Sequence, residues 1–322
     1  MRYYREEFAP IELRDSTLSV ANQYLKAHLE PDWNDVPIEH INGEAINNWA
    51  RKKRLGLSWV TIKNMLRTVH RVISCCPKTI PPFSLKDLRI PAKDQLRMKI
   101  DSRNAVKFSW AQANQIADAV QKLDGLDDDR KSRCVALFLL ASATGLRCSE
   151  LYALRMDDVD FKADTIRVDE SFEGLTYQIQ ECKNVATYRT IFLGDAEGKK
   201  ALRVLKAYVG VRVQNPSEFL FHTKQGSPLL ASNVLSEALH PALKALGLPQ
   251  AGMHAFRRGC NVRWELSGMN PAVLRQMMGH SSAAMTMRYS GEVSLAQIEA
   301  DFAGRNGPKI VVMENRENEA VA

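Results

Sequence analysis

Apolar residues at helical spacing are the strongest constraint on how this 322-residue chain can fold. In residues 60–73 they recur every three or four positions, the period of a helix with one buried face. Ser58 precedes this run and can cap the helix, while Gly56 ends the preceding helical pattern. Similar patterns occupy residues 16–29 and 37–49. The sequence therefore predicts a helical amino-terminal region.

A second region of mixed pattern begins at Ser109, which can cap a helix reaching residue 123. Residues 130–144 form an apolar helical run that Gly145 interrupts, and helical patterns return after Ala196. Alternating, strand-like patterns separated by turn residues occupy residues 159–168, 177–181 and 187–193. This region therefore combines helices with a small antiparallel sheet.

The length predicts two domains, since a typical domain has about 100–200 residues. Prolines between residues 77 and 91 interrupt the helical periodicity, so we expect a linker there. The predicted fold class is mainly α with a small antiparallel β-sheet. We expect a helical domain at residues 1–90, a basic linker at 91–107, an α+β domain at 108–303 and a flexible tail at 304–322.

Composition places the chain among ordinary globular proteins, with 45% apolar and 25% charged residues. The longest nearly unbroken apolar run, residues 134–143, is about half of the ~20 residues needed to span a bilayer. The first residues lack the apolar stretch of a signal peptide. Six cysteines occur without a CxxC pair, which favours reduced thiols over disulfides or zinc. We therefore expect a cytoplasmic protein.

The positive charge is concentrated in one segment. Residues 1–50 have a net charge of −5, residues 51–107 have +12, and residues 108–322 balance. So much charge with few acidic partners favours a polyphosphate ligand, and hence nucleic acid and a nucleoid-associated location. The alternatives are a solvated helix face with a charged linker, or a membrane-surface helix. The predicted DNA-binding residues are Arg51, Lys52, Lys53, Arg54, Lys63, Arg67, Arg97 and Lys99.

Three short stretches of the second region contain groups that bind phosphate. The first is Thr144-Gly-Leu-Arg147-Cys-Ser-Glu150-Leu, where Gly145 lets the chain turn before Arg147. The second is His254-Ala-Phe-Arg257, whose spacing places both side chains on one face of a helix. The third is Leu274-Arg-Gln-Met-Met-Gly-His280-Ser, with Tyr289 nine residues after His280.

Each stretch has an ordinary explanation when taken alone. Arg147 could lie at the surface, either histidine could be structural, and Tyr289 could be a half-buried helix residue. A metal site formed by His254, Cys260 and His280 is an alternative, but the spacing matches no common zinc pattern. The order and co-occurrence of the three stretches favour a shared function instead.

That order resembles the tyrosine recombinase (phage integrase) family, and the resemblance extends from Thr144 to Tyr289. It implies a helical, SAM-like core-binding domain followed by a catalytic domain. It also implies breaking and rejoining of double-stranded DNA through a 3′-phosphotyrosyl intermediate, in a synapse of four protomers, with neither metal nor ATP. The helical, basic first domain is consistent with this resemblance.

The resemblance assigns a role to each catalytic candidate. Tyr289 would attack the scissile phosphate and displace the 5′-hydroxyl. Arg147 and Arg257 would bind the nonbridging oxygens, for which a bidentate guanidinium is better suited than lysine. His254 would assist proton transfer at the nucleophile, and His280 would donate a hydrogen bond to the phosphate. No cofactor is expected.

The family also uses a lysine on a β-hairpin to protonate the leaving oxygen. Lys183 fits this role because it lies between two strand patterns that we expect to pair as a hairpin, with Lys162 and Lys224 as rivals. Glu150 is expected to orient Arg147 by a hydrogen bond rather than to act chemically.

Two departures from the family pattern leave the subfamily open. Arg258-Gly-Cys-Asn replaces the commoner His-Thr-Phe-like run, and Ser-Gly-Glu follows Tyr289 in place of a threonine or serine with histidine. Other function classes also remain. One is a DNA-binding regulator that has lost catalysis, and another is a relaxing topoisomerase with the same phosphotyrosyl chemistry.

Overall fold

The computed structural model describes residues 1–75, 82–174, 177–181, 188–212 and 218–280, without the side chain of Arg103. Lys183, Tyr289 and the predicted tail at 304–322 lie outside the described residues. Among the residues that the structure describes, no helix combines the length and apolar character needed to cross a bilayer.

Helices build the amino-terminal region, as the apolar periodicity predicts. Three π-helical or 3-10 turns, Tyr4–Phe8, Leu25–Leu29 and Ile38–His40, connect or extend them. The chain stays helical past Pro31, because a proline is accommodated at the start of the short helix that contains it. The helices are α1 (Ala9–Glu12), α2 (Asp15–Tyr24), α3 (Glu30–Trp33), α4 (Gly43–Lys53) and α5 (Trp59–Ser74).

Helix α5 organises this region and follows the sequence prediction closely. The Ser58 hydroxyl accepts the backbone N–H of Thr61 and caps the helix at the expected residue. One face of α5 is buried, and it packs with residues of α2, α4 and the preceding turns in a single apolar cluster. The buried residues of α5 are Trp59, Ile62, Met65, Leu66, Thr68, Val69 and Ile73.

The basic segment after this cluster contains a regular helix where an irregular linker is expected. Leu85–Asp87 forms a 3-10 turn, and α6 spans Ala92–Arg103. Pro91 starts α6 rather than breaking it, since it stands just before the first helical residue. The indole N–H of Trp59 donates to Asp94 Oδ2 at 2.9 Å, and Met98 packs against the amino-terminal cluster. Helix α6 is therefore docked on the helical region.

The second region forms its own apolar cluster around the buried helix α8. The Ser109 hydroxyl caps α7 as predicted, and the Asp127 carboxylate caps α8. Met156–Asp158 and Leu235–Leu239 form a 3-10 and a π turn. The helices are α7 (Trp110–Gln121), α8 (Asp128–Thr144), α9 (Cys148–Ala153), α10 (Ala196–Val211), α11 (Ala231–Val234), α12 (His240–Ala245), α13 (His254–Leu266) and α14 (Pro271–Met278).

The described strands form two small antiparallel sheets. They are β1 (Val159–Asp160), β2 (Thr165–Val168), β3 (Glu170–Glu173), β4 (Gln178–Glu181) and β5 (Arg189–Phe192). One sheet has the order β1-β2-β5, and the other pairs β3 with β4. The mainly helical fold class with little antiparallel strand is therefore confirmed.

The prediction that the strands on either side of Lys183, β4 and β5, pair as a hairpin is wrong. Strand β4 pairs with β3, with Phe172 opposite Ile179, whereas β5 pairs with β2, with Ile166 opposite Ile191. Ile166 and Ile191 are fully buried, so β5 is held in its sheet by apolar packing that the local strand pattern does not reveal.

A close backbone contact fixes helix α13 against the start of the second region. The backbone N–H of Phe108 donates to the carbonyl of Ala255, and Arg258 Nη1 donates to the carbonyl of Val106 at 3.3 Å. A Cβ atom on Gly259 would lie 1.7 Å from the Phe108 carbonyl oxygen. This contact explains one departure from the family pattern, because glycine is the residue that lets the two backbones approach.

We predict that Gly259→Ala lowers the free energy of unfolding by about 1–3 kcal/mol or more, because the Phe108 backbone must move. Gly210→Ala in α10 is the matched control. Apart from its chain neighbours and the backbone of its own helix, no atom lies within 4 Å of the methyl group that alanine would add, and the change should raise stability by about 0.5 kcal/mol. Urea unfolding of both variants measures the difference. Equal stability of Gly259→Ala and the wild-type protein would contradict the close approach of the Gly259 and Phe108 backbones.

Candidate phosphodiester site

The first predicted motif forms the turn between α8 and α9. Gly145 ends α8 in the left-handed region with φ +63°, as its expected role in a turn requires. Arg147 stands just before α9, and its backbone N–H donates to Glu150 Oε2 at 2.9 Å. Its Nη1 donates to Glu150 Oε1 at 2.6 Å. Glu150 is buried, whereas 29% of the Arg147 side chain is exposed. The buried carboxylate therefore holds in place a guanidinium that is partly open to solvent.

Arg189 of β5 is a second partner of the same carboxylate, and sequence reasoning missed it. Its Nη2 donates to Glu150 Oε2 at 2.9 Å, and its Nη1 donates to Oε1 at 3.3 Å. The Arg189 side chain is fully buried. Burial alone would raise the pKa of Glu150, but the charge and hydrogen bonds of Arg189, with those of Arg147, lower that pKa to about 2. Glu150 is therefore ionised at neutral pH.

Backbone carbonyls at two helix ends hold the arginines. Arg257 Nη1 donates to the Gly145 carbonyl at 2.6 Å, and its Nη2 donates to the Met278 carbonyl at 2.5 Å. Arg147 Nη2 donates to the Gly279 carbonyl at 2.9 Å. These acceptors lie at the carboxyl ends of α8 and α14, where the helix dipole is negative and favours cations. The two helix ends therefore bring Arg147 and Arg257 together.

Glycine is required at both helix ends for steric reasons. Gly279 has φ +62°, and a Cβ atom there would lie 2.8 Å from Arg189 Nη1. A Cβ atom on Gly145 would lie 2.9 Å from Met278 Sδ. A side chain at either position would combine backbone strain with displacement of a group beside the arginines.

The two histidines are held neutral next to these cations. His254 opens α13, one turn before Arg257. Its surface is partly exposed, but desolvation and the charges of Arg258, Arg257 and Arg147 lower its pKa to about 4. His280 follows α14 and is buried; burial and the charges of Arg257, Arg147 and Arg189 lower its pKa to about 3. Arg147 and Arg257 act on both histidines, and His254 also acts on His280, so the two imidazoles share one site.

The structure therefore brings four of the six predicted catalytic residues to one place. Arg147, His254, Arg257 and His280 converge around the ends of α8 and α14, whereas Lys183 and Tyr289 lie outside the described residues. The rival Lys162 is exposed in a turn, and Lys224 pairs with Asp127 at 3.1 Å.

Cys260 has a structural environment rather than that of a metal ligand. Its thiol donates to the Ala143 carbonyl at 3.4 Å, and burial raises its pKa to about 12. Arg263 Nη2 donates to the same carbonyl at 3.0 Å. The described residues hold no group of three or more histidine, cysteine or carboxylate side chains arranged for a metal ion.

The arrangement suits an anionic ligand. Arg147, Arg189 and Arg257 carry positive charge and the ionised Glu150 cancels one of them, so these four side chains have a net charge of +2, to which Arg258 adds positive charge beside His254. The histidines add none at neutral pH but provide ring nitrogens. A phosphodiester has one negative charge, and the pentacovalent species formed by attack on it has two, so the site favours the latter.

A groove with a volume of about 2100 Å³ is lined by residues of the basic segment between Arg54 and Ala105, together with Arg258 of α13. Five predicted DNA-binding residues line it: Arg54, Lys63, Arg67, Arg97 and Lys99. Lys86 and Arg258 also line it, and neither is among the eight residues named above as predicted to bind DNA. Arg51, Lys52 and Lys53 are not among its lining residues, and Lys53 pairs with Asp32 at 2.6 Å.

Comparison with known proteins identifies the class. The model of the phage integrase family matches residues 108–293, more than half of the chain. The chain therefore belongs to the phage integrase, or tyrosine recombinase, family. This confirms the resemblance that the motifs indicate.

Individual relatives are distant. The transposase from transposon Tn916 of Enterococcus faecalis is 27% identical over 182 residues, covering 53% of this chain and 45% of that protein. The chain thus spans less than half of the first curated relatives it matches. A putative prophage phiRv2 integrase of Mycobacterium tuberculosis is 27% identical over 286 residues, 86% of this chain and 70% of that protein.

A solved structure supports the same fold over nearly the whole chain. It is the integrase of transposon Tn1549 in complex with a circular intermediate DNA, with a TM-score of 0.69 and 22% identity. The match covers 94% of this chain and 97% of that chain. At this identity the likeness concerns the fold.

The low pKa of His280 predicts acid sensitivity. The unfolded chain binds a proton on this imidazole below pH 6.5, whereas the folded chain does not until about pH 3. The free energy of unfolding therefore falls as the pH decreases below 6.5, and this group alone contributes a loss of about 2 kcal/mol by pH 5. His280→Gln should flatten the dependence of unfolding free energy on pH between 7 and 5.

His40→Gln is the matched control, because His40 is exposed and far from the arginines in sequence. Denaturant unfolding at a series of pH values measures both variants. An unchanged pH dependence in His280→Gln would show that the imidazole is not buried beside the arginines.

Proposed function

We propose that this protein is a site-specific DNA recombinase that cleaves and rejoins strands through a 3′-phosphotyrosyl intermediate. The observation that carries the proposal is the convergence of Arg147, Arg257 and two neutral histidines at the ends of α8 and α14. This is the arrangement that the motif order of the family implies. The same chemistry applies to integration, excision and resolution, so the proposal concerns the reaction rather than the biological role.

The reaction needs no energy source beyond the diester itself. The phenol oxygen of Tyr289 attacks phosphorus, a P–O bond to tyrosine forms, and the bond to the 5′-oxygen breaks. A 5′-hydroxyl of the partner strand later attacks the phosphotyrosine and releases the phenol. One phosphodiester is exchanged for another in each round, so the bonds balance without metal or ATP.

The described residues support this chemistry through charge and protonation state. Arg147 and Arg257 stabilise the nonbridging oxygens as negative charge accumulates on them. His254 is neutral at physiological pH and accepts the phenolic proton, while His280 donates a hydrogen bond to a phosphate oxygen. Lys183 protonates the departing 5′-oxygen in this proposal.

Double-stranded DNA is the proposed partner, and the basic groove is its proposed binding surface. Its lining residues come from both α5 and α6 on one side and from Arg258 of α13 on the other. A duplex in this groove passes next to the arginine site, because Arg258 directly follows Arg257. Binding there explains why so much positive charge is concentrated in residues 51–107.

The remaining parts of the proposal follow the family pattern. Residues 1–90 form the core-binding domain, 91–107 a linker that contains the docked helix α6, 108–303 the catalytic domain and 304–322 a tail. Four protomers assemble on two duplexes, and the protein acts in the cytoplasm, associated with the nucleoid. Support for these parts comes from the separate apolar clusters of the two regions and from family membership.

We predict that the wild-type protein forms a denaturant-resistant adduct with nicked suicide duplexes and that Tyr289→Phe forms none. A library of duplexes with randomised sequence removes the need to know the target site. Arg147→Ala is expected to slow adduct formation by about 10²–10³-fold, since one transition-state donor is lost. Gel separation after denaturation and sequencing of the trapped DNA provide the measurements.

Tyr188→Phe is the matched control, because Tyr188 is an exposed tyrosine of the same region. It should form the adduct at the wild-type rate. An adduct in Tyr289→Phe would overturn the nucleophile assignment. No adduct at all would favour a DNA-binding regulator, and adducts on every sequence together with relaxation of supercoils would favour a topoisomerase.

We predict that neutralising the groove weakens DNA binding at all sequences alike. The triple change Lys63→Gln, Arg67→Gln and Arg97→Gln should reduce the slope of log affinity against log salt by up to about 0.9 per lost phosphate contact. Fluorescence anisotropy at a series of salt concentrations measures the slope. A control with equal charge loss is Lys199→Gln, Arg203→Gln and Lys206→Gln on the exposed face of α10. Equal slopes for both triple variants would contradict the groove as the binding surface.

A further inference from the structure

Arg189 is a fully buried cation beside the site, and it connects three separate elements. It extends from β5, donates through both terminal nitrogens to Glu150 of α9, and donates through Nε to the Met277 carbonyl of α14 at 2.7 Å. Its side chain has no exposed surface. Because its charge is paired with the Glu150 carboxylate and its side chain has no exposed surface, its effect on DNA must pass through these partners.

The geometry of these contacts requires arginine rather than a positive charge alone. The planar guanidinium reaches both carboxylate oxygens of Glu150 and a backbone carbonyl in a third direction. A lysine ammonium at the same place lacks the fork that donates to both oxygens. The neighbouring Gly279 leaves the necessary space, since a Cβ atom there would lie 2.8 Å from Arg189 Nη1.

Glu150, whose position is fixed by Arg189, in turn fixes the position of Arg147. The same two carboxylate oxygens that Arg189 holds also accept the backbone N–H and Nη1 of Arg147. Arg147 Nη2 in turn donates to Gly279, two residues after the carbonyl that Arg189 holds. Arg189 thus fixes both supports of Arg147 at once.

We propose that Arg189 is a positioning residue for strand cleavage, holding Glu150 and the end of α14 so that Arg147 faces the scissile phosphate. This inference rests on the proposed recombinase function. It differs from a general structural role because its effect should appear in the cleavage step rather than in DNA affinity. A misplacement of about 1 Å at a reacting centre costs about 10²-fold in rate.

The test uses variants that keep the buried charge balanced. Arg189→Lys retains the charge but loses the fork. The double variant Glu150→Gln/Arg189→Gln removes both charges together, which avoids leaving an unpaired buried ion. Arg167→Lys on the adjacent strand β2 is the matched control, because Arg167 also pairs with carboxylates, Asp158 and Asp169, but is largely exposed and does not contact Glu150.

The single-turnover rate of adduct formation is measured at saturating suicide duplex, with DNA affinity and thermal unfolding measured in parallel. Arg189→Lys and the double variant should form the adduct about 10²-fold more slowly, with DNA affinity within about two-fold of wild type. Arg167→Lys should match the wild-type protein in all three measurements.

A double-mutant cycle that combines Arg189→Lys with Arg147→Ala tests whether Arg189 affects the cleavage rate through Arg147. If Arg189 acts through Arg147, Arg189→Lys costs little further rate once Arg147 is already alanine. Wild-type rate in Arg189→Lys, or losses that add fully in the combined variant, would overturn the positioning role while leaving the recombinase function intact. Absence of an adduct from the wild-type protein would overturn the proposed function itself and the inference with it.

Discussion

Hydrogen bonds from buried guanidinium groups to helix-terminal carbonyls determine how the site is built. Arg257 is 1% exposed, and burying a cation of this size is costly unless strong acceptors surround it. The carbonyls of Gly145 and Met278 provide those acceptors at the negative ends of α8 and α14. The two helices must therefore end at the same point, and both end in left-handed glycines. The packing of α8 against α14 and the positions of the arginines therefore depend on the same hydrogen bonds.

The same arginines determine the protonation states of the carboxylate and the two histidines beside them. They keep Glu150 ionised and hold both His254 and His280 neutral, although these three groups lie within one site. A neutral imidazole has one ring nitrogen that accepts a proton and one N–H that donates a hydrogen bond, whereas an imidazolium has no nitrogen left to accept a proton. The site is consequently prepared for a ligand that brings negative charge, and the histidines remain available for proton movement at physiological pH.

Local signals in the sequence are sufficient to predict many elements. The Ser58 and Ser109 caps, the apolar period of α5 and the turn at Gly145 each depend on residues within a few positions of one another, and the structure has them where predicted. The family resemblance carried by the order of the motifs likewise implies that Arg147, His254, Arg257 and His280 share one site. Helix α6 escapes prediction because prolines usually interrupt a helix, whereas Pro91 opens this one.

Features that depend on contacts between distant residues cannot be derived in the same way. Arg189 looks like an ordinary strand residue in sequence, and its partner Glu150 lies 39 positions earlier. The pairing of β5 with β2 rather than β4 depends on buried isoleucines in strands that are not adjacent in the chain. Gly259 departs from the family pattern for a reason visible only once the Phe108 backbone is seen beside it.

In the proposed reaction, one phosphodiester occupies the space between Arg147 and Arg257, with both histidines beside it. The most direct measurement is a structure of the Tyr289→Phe protein bound to an uncleaved duplex carrying its recombination site. We expect one backbone phosphate whose nonbridging oxygens lie within about 3 Å of guanidinium nitrogens of both arginines. A duplex whose phosphates all lie away from this pair, with the arginines still bound only to the carbonyls of α8 and α14, would contradict it.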